Sequence, residues 1–174
     1  SESDDVIRKL RELLEELRTH VEKSIRDLRK ILEDSTRHAK RDHMVLHEYV
    51  NAAGITPGDE EVRKTVEEIS RRVAENVKRL EDLYRRMEEE VKKNLDRLRK
   101  RVEDIIREVE EARKKGVDEE KLKDLIRKLR DILRRAAEAH KKLIDDARES
   151  LERAKREHEK LIDRLKKILE ELER

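Results

Sequence analysis

Residues 61–78 read EVRKTVEEISRRVAENVK, and residues 79–96 read RLEDLYRRMEEEVKKNLD. Laid one above the other, Val62, Val66, Ile69, Val73 and Asn76 fall on Leu80, Tyr84, Met87, Val91 and Asn94. The apolar positions step by three and four residues, the spacing that lines one face of an α-helix. A third copy follows at Leu98, Val102, Ile105, Val109 and Ala112. The repeat is 18 residues, about five turns at roughly 3.6 residues per turn, so the face stays put on a straight helix. A strict heptad would instead impose a left-handed supercoil. The stretch predicts a long, nearly straight helix with an Asn on its apolar face in each of its first two repeats.

The frame extends in both directions. Downstream, Leu122, Ile126, Leu129, Leu133 and Ala136 lead to His140, Ile144, Ala147, Leu151 and Ala154, then to His158, Ile162, Leu165 and Leu169. Upstream, Val6, Leu10, Leu13, Leu17 and His20 lead to Ser24, Leu28, Ile31, Ser35 and His38. Only two places break the pattern. The segment NAAGITPGD, residues 51–59, holds Gly54, Pro57 and Gly58, and either Thr56 or Asp59 can cap a following helix. At Lys115–Asp118, Gly116 suits a left-handed helix end and Asp118 the next N-cap. Ser3, ahead of Asp4 and Asp5, suits the start of the first helix. The expectation is an all-α, single-domain, up-down-up three-helix bundle, with helices near 3–52, 58–115 and 118–173 and loops near 53–57 and 116–117. Each of the two longer helices would span about 85 Å at 1.5 Å per residue. Ile7, Leu14, Val21, Ile25 and Leu32 lie beside the main stripe, and the other two helices are expected to cover them, leaving a monomer.

Composition narrows the function. Charged residues are 53% of the 174 and apolar residues 34%. Such a chain is disordered only when its apolar residues lack a pattern, and here they repeat. Net charge is +2, with Lys and Arg interleaved among Asp and Glu, so no basic stripe for phosphate collects on one face. Two Tyr and no Phe or Trp make no stacking platform for single strands. No apolar run reaches the roughly 18 residues of a membrane span. With no Cys there is no disulfide framework or thiolate site, and nothing in the chain assigns a localisation. Nucleic acid and membrane are therefore not expected partners.

Four His and two Asn fall on the apolar faces: His20, His38, Asn76, Asn94, His140 and His158. A polar side chain there is costly unless its hydrogen bonds are met. Residues at one level of an antiparallel pair share an index sum. His20/Asn94 and His38/Asn76 share 114, whose midpoint is Pro57. Asn94/His140 and Asn76/His158 share 234, whose midpoint is Val117. Polar residues and turn residues thus predict the same two folds of the chain. Two polar layers follow, His20/Asn94/His140 and His38/Asn76/His158, with Ser24 and Ser35 near enough to join, and they would set register as buried polar residues do in coiled coils. If buried and neutral, these His would also make stability fall with acid. Two His and one Asn make a poor transition-metal set, and no Glu-x-x-His pair is present, so neither a metal nor another cofactor is expected. A haem held between two His would need a wide, aromatic-lined cavity. His43 and His47, one turn apart, are at most a weak chelate. Ser, Thr and the abundant carboxylates form no nucleophile–base arrangement, and an enzyme is not expected.

One segment departs from the pattern. Residues 41–56 read RDHMVLHEYVNAAGIT. Leu46 and Tyr49 keep the register of Leu10 and Leu13, while Asp42 turns a carboxylate toward the apolar face, within reach of Arg72. The stretch also alternates as a strand does, with Val45, His47, Tyr49 and Asn51 on one side and Met44, Leu46, Glu48 and Val50 on the other. All sixteen residues, Arg41, Asp42, His43, Met44, Val45, Leu46, His47, Glu48, Tyr49, Val50, Asn51, Ala52, Ala53, Gly54, Ile55 and Thr56, resemble the eleventh β-strand of green fluorescent protein. His47, Tyr49 and Asn51 resemble the tag form used in split-protein complementation rather than the natural strand. The resemblance implies a partner, a fluorescent-protein barrel lacking its last strand, which such a segment completes by strand addition. The remaining 158 residues resemble de novo designed helical bundles with buried hydrogen-bond networks, through their idealised caps, repeated layers and Glu/Lys/Arg surface. Together these imply a designed scaffold that presents or cages the strand. The alternatives are a fold or assembly test with the tag as passive reporter, pH-responsive through its His, or a designed haem or metal binder.

Overall fold

The computed structural model describes residues 1–53 and 59–172, and 97% of them are helical. Three helices follow one another, α1 (Glu2–Ala53), α2 (Asp59–Lys114) and α3 (Glu119–Leu172). The protein is an all-α, up-down-up three-helix bundle. The expected turn residues Gly54, Ile55, Thr56, Pro57 and Gly58 lie outside the described residues.

The helix ends follow from local chemistry. α1 is capped by Ser1, not Ser3: the Ser1 Oγ accepts from the Asp4 amide at 3.2 Å, and the Ser1 carbonyl accepts from the Asp5 amide. A serine one position before the first helical residue reaches the third helical amide, and Ser3 sits too far inside to do so. At the other end of α2, Gly116 takes φ +78°. The Val117 amide bonds the Ala112 carbonyl and the Gly116 amide bonds the Arg113 carbonyl, both at 3.1 Å, a Schellman end. Val117 and Ala112 close it with a buried apolar contact. Asp118 then caps α3, its carboxylate accepting from the Glu120 amide at 3.0 Å.

Packing divides the chain into two compact units, residues 1–30 with 88–144, and residues 31–87 with 145–174. The first holds a core of Ile7, Leu10, Leu14, Leu17 and Val21 from α1, Leu98, Val102, Ile105, Val109 and Ala112 from α2, and Leu122, Leu125, Leu129 and Ala136 from α3. At about 1.5–3 kcal/mol per buried large apolar side chain, this unit is densely held. The second holds a smaller core: Leu46 and Val50 from α1, Val62, Val66, Ile69 and Val73 from α2, and Leu161 and Leu165 from α3. α2 buries its repeat nearly as the sequence predicts, Tyr84 alone being half-exposed. α1 is less regular. Ile7, Leu14 and Val21 are buried, but Ile25 and Leu32 are half-exposed and Ile31 is 48% exposed. Surface Asp–Arg pairs such as Asp5–Arg8, Asp82–Arg85 and Asp131–Arg134 span three residues each and add a few tenths of a kcal/mol apiece.

Candidate functional site

Each unit carries one buried Asn–His pair, built the same way. Asn94 and His140 sit on facing turns of α2 and α3, at 7% and 2% exposure, and the Asn94 Nδ2 meets the His140 Nε2 at 2.7 Å. The His140 Nδ1 lies 2.6 Å from the Ala136 carbonyl one turn back. A carbonyl only accepts, so Nδ1 carries the proton and the bare Nε2 accepts from the Asn amide. Asn76, His158 and Ala154 repeat this arrangement in the second unit, at 2.7 and 2.6 Å. The sequence device is Ala-x-x-x-His opposite Asn. It meets both ring nitrogens of a neutral His inside a helix pair, where an unmet group would cost about 1–3 kcal/mol.

The α1 members behave differently. His20 lies half-buried with its Nε2 enclosed and unpartnered among the described residues. Burial holds it below the ordinary His value, and Arg101, Arg97 and Lys23 push the same way. His38 is exposed, and among the described residues no hydrogen bond joins it to either pair. Its place beside the second pair is taken by His43, whose ring stands 5.3 Å from that of His158. Register explains the exchange. The α1–α2 contacts Lys9–Glu108, Asp42–Arg79 and Tyr49–Arg72 have index sums of 117 to 121, not 114, a slip of one to two turns. His43, not His38, then comes level with Asn76. The α2–α3 contacts keep the sum of 234. Ser24 and Ser35 are half-buried, and no hydrogen bond joins them to either pair among the described residues. Instead Ser35 lines a cavity of about 50 Å³ with Thr36, Ala39, Tyr84, Ala147 and Ser150. Thr36 Oγ1 donates to the Leu32 carbonyl at 2.8 Å and lies 3.2 Å from Ser150 Oγ.

The strand-like segment is helical through Ala53. Leu46 and Val50 are its buried anchors, at 5% and 0% exposure. Tyr49, expected in register with Leu13, is 43% exposed and lies under the Arg72 guanidinium at 5.2 Å. Asp42 pairs with Arg79 at 3.6 Å, not with Arg72, which pairs with Glu68. Arg164 of α3 reaches across to the His47 Nε2 at 3.2 Å and donates to the Asn51 side-chain carbonyl. Arg41, Glu48 and Ala52 are exposed, as are Met44 at 65% and Val45 at 45%. The backbone amides of residues 41–53 and the carbonyls of 41–49 are spent inside the helix, so that backbone cannot pair with a sheet edge while this form persists.

Among the described residues, no group of three or more His, Asp or Glu is placed to hold a metal ion. No helix among them is long and apolar enough to cross a membrane. No protein-family model matches the chain. No curated protein matches it either. Among solved structures it is similar to one described as a "Computationally designed three helix bundle", with a TM-score of 0.52 and 13% identity over 98% of this chain and 85% of that one. At that identity the likeness concerns the fold.

Proposed function

We propose that the chain is a designed helical scaffold that keeps residues 41–56 as a caged complementing strand for a strand-deficient fluorescent-protein barrel. The observation that carries this reading is the conflict within one segment: residues 41–53 resemble a barrel strand yet lie in α1 with Leu46 and Val50 in a core. Strand addition requires the whole segment to leave the helix, because both the backbone bonding and the side-chain period must change. Exposing Leu46 and Val50 opposes this by about 1.5–3 kcal/mol each. The two Asn–His pairs act as register marks between α2 and α3, since a slip would leave four buried polar side chains unmet. The scaffold itself performs no catalysis.

The decisive test mixes the protein with the barrel lacking its eleventh strand and follows fluorescence. Slow development, accelerated by mild urea, is the expected outcome. Development as fast as that of the free sixteen-residue peptide would favour the second reading, a fold test carrying the tag as a passive reporter, for which the exposure of Met44, Val45 and Tyr49 speaks. No fluorescence in any urea concentration that the barrel tolerates would sink both.

A further inference from the structure

His43 is a member of the strand-like segment and also the α1 residue packed on the second polar pair. His158 has committed both ring nitrogens in its neutral form, one to the Ala154 carbonyl and one to Asn76. It therefore offers His43 neither a lone pair nor a spare N–H. The His43 Nδ1 is enclosed and has no partner among the described residues, while its Nε2 faces the Glu157 carboxylate at 3.9 Å. The arrangement suits a neutral ring with its proton on Nε2, directed at Glu157, and a bare lone pair on Nδ1. A second proton would have to sit on Nδ1, where no acceptor stands and a second imidazole lies alongside. An N–H buried without an acceptor is the costly kind of unmet group.

The charged surroundings were set by three helices. From α1 come Lys40 and His47, from α3 Arg153, Glu157 and His158, and from α2 the neutral Asn76 with Arg79 already paired to Asp42. Burial pushes His43 below the ordinary His value, His158 and His47 push further, and Glu157 pulls back. Beside the ring, small side chains, Thr36, Ala39, Ser150 and Ala154, line an open cleft of about 340 Å³, so little apolar packing on that side resists a lift of the helix.

We propose that His43 is a proton-operated clasp: protonating its ring releases residues 41–53 from the second unit, so that acid uncages the segment. The sign follows from linkage. The ring binds a proton more weakly in the closed form than in the open one. Its contribution to closure is therefore complete above about pH 6.5 and is lost as pH falls below that value. One proton limits the effect to at most tenfold per pH unit. That the released segment can then complete a barrel rests on the function proposed above, but the clasp itself is measurable without any barrel.

Amide hydrogen exchange by mass spectrometry, corrected for intrinsic rates, gives the protection of peptides within 41–53 at pH 7.5 and 5.5. Protection should fall about three- to tenfold in the wild-type protein. His43→Leu should abolish that ratio, whereas His38→Ala, on the exposed side of the same helix, should keep it. A wild-type ratio near one, or a full ratio retained in His43→Leu, overturns the clasp. Should the Leu variant misfold, a proton NMR titration of the wild-type His43 ring decides, a midpoint at or above the ordinary His value overturning the proposal. In parallel, protein held at each pH and then mixed with the barrel at pH 8 reads the consequence. Acid-dependent protection without fluorescence would count against the strand function and leave the clasp standing.

Discussion

The two units share one polar device and differ in how much apolar surface surrounds it. Around Asn94–His140, α1 contributes Ile7, Leu10, Leu14, Leu17 and Val21 to the core. Around Asn76–His158, it contributes Leu46 and Val50, and no side chain between Ile31 and Val45 is fully buried. The same helix thus has a well-anchored half and a loosely anchored half. The difference lies in sequence: one or two 18-residue repeats on from Leu17, Val21 and Val6, the second half supplies Ser35, Ala39 and Asp42. Identical hydrogen bonds do not equalise the units, because a met polar pair contributes about 0.5–1.5 kcal/mol net and a run of buried Leu contributes several times that. Local stability then differs along one helix, and the segment with an alternative fold belongs to the weaker unit.

The largest effect should come from deleting a core Leu in one unit at a time. Leu165→Ala removes a side chain 1% exposed from the second unit, and Leu129→Ala removes one 5% exposed from the first. Each should cost about 2–5 kcal/mol, read by urea melts. Neither lies within the strand-like segment, and Leu165 shares a core with its anchors Leu46 and Val50. If opening is local, Leu165→Ala should raise the complementation rate roughly 30-fold or more, since about 1.4 kcal/mol is tenfold, while Leu129→Ala should change it far less. Equal acceleration by both would show that the chain opens as one body and would break the comparison.

Next in size are the polar pairs. Asn76→Ala and Asn94→Ala each strand a buried His Nε2 whose Nδ1 is committed to a carbonyl one turn back. Each should cost about 1–3 kcal/mol. The bonds match in length, so the two costs should agree unless the α1 neighbours matter. A larger loss for Asn76→Ala would assign weight to the His43 contact. Thermal melts at pH 8 make the measurement.

Much of this is legible in the amino-acid sequence. The 18-residue repeat of α2 predicts its buried face almost residue by residue, because all three copies run without interruption along one helix. The pairing of Asn94 with His140 and of Asn76 with His158 follows from the midpoint at Val117, since the short Gly116 turn leaves no freedom in the stagger. The α1–α2 stagger was not legible. The longer break after Ala53 does not fix a midpoint, and a slip of one to two turns exchanges His38 for His43 as the third member. The tight coupling of a turn to its register is the difference. For the same reason Asp42 faces Arg79, two turns from the expected Arg72. The Ala-x-x-x-His carbonyl bond was a readable signal, since a helical His can reach the carbonyl four residues back.

The smallest effect tests whether the tight turn matters to the weak unit. Gly116 has φ +78° and nothing within 4 Å of where a Cβ would stand. Gly116→Ala therefore meets no clash, and its cost is the left-handed backbone alone, about 1 kcal/mol. The loss should appear as lower protection of the α2–α3 turn and of core residues such as Ala112 and Leu122, both in the first unit. Residues 41–53 should keep their protection and their complementation rate, because the strain acts on the other unit. A rate that rises along with the loss at the turn would mean that the clearest local signal in the sequence also sets how firmly its least regular segment is held.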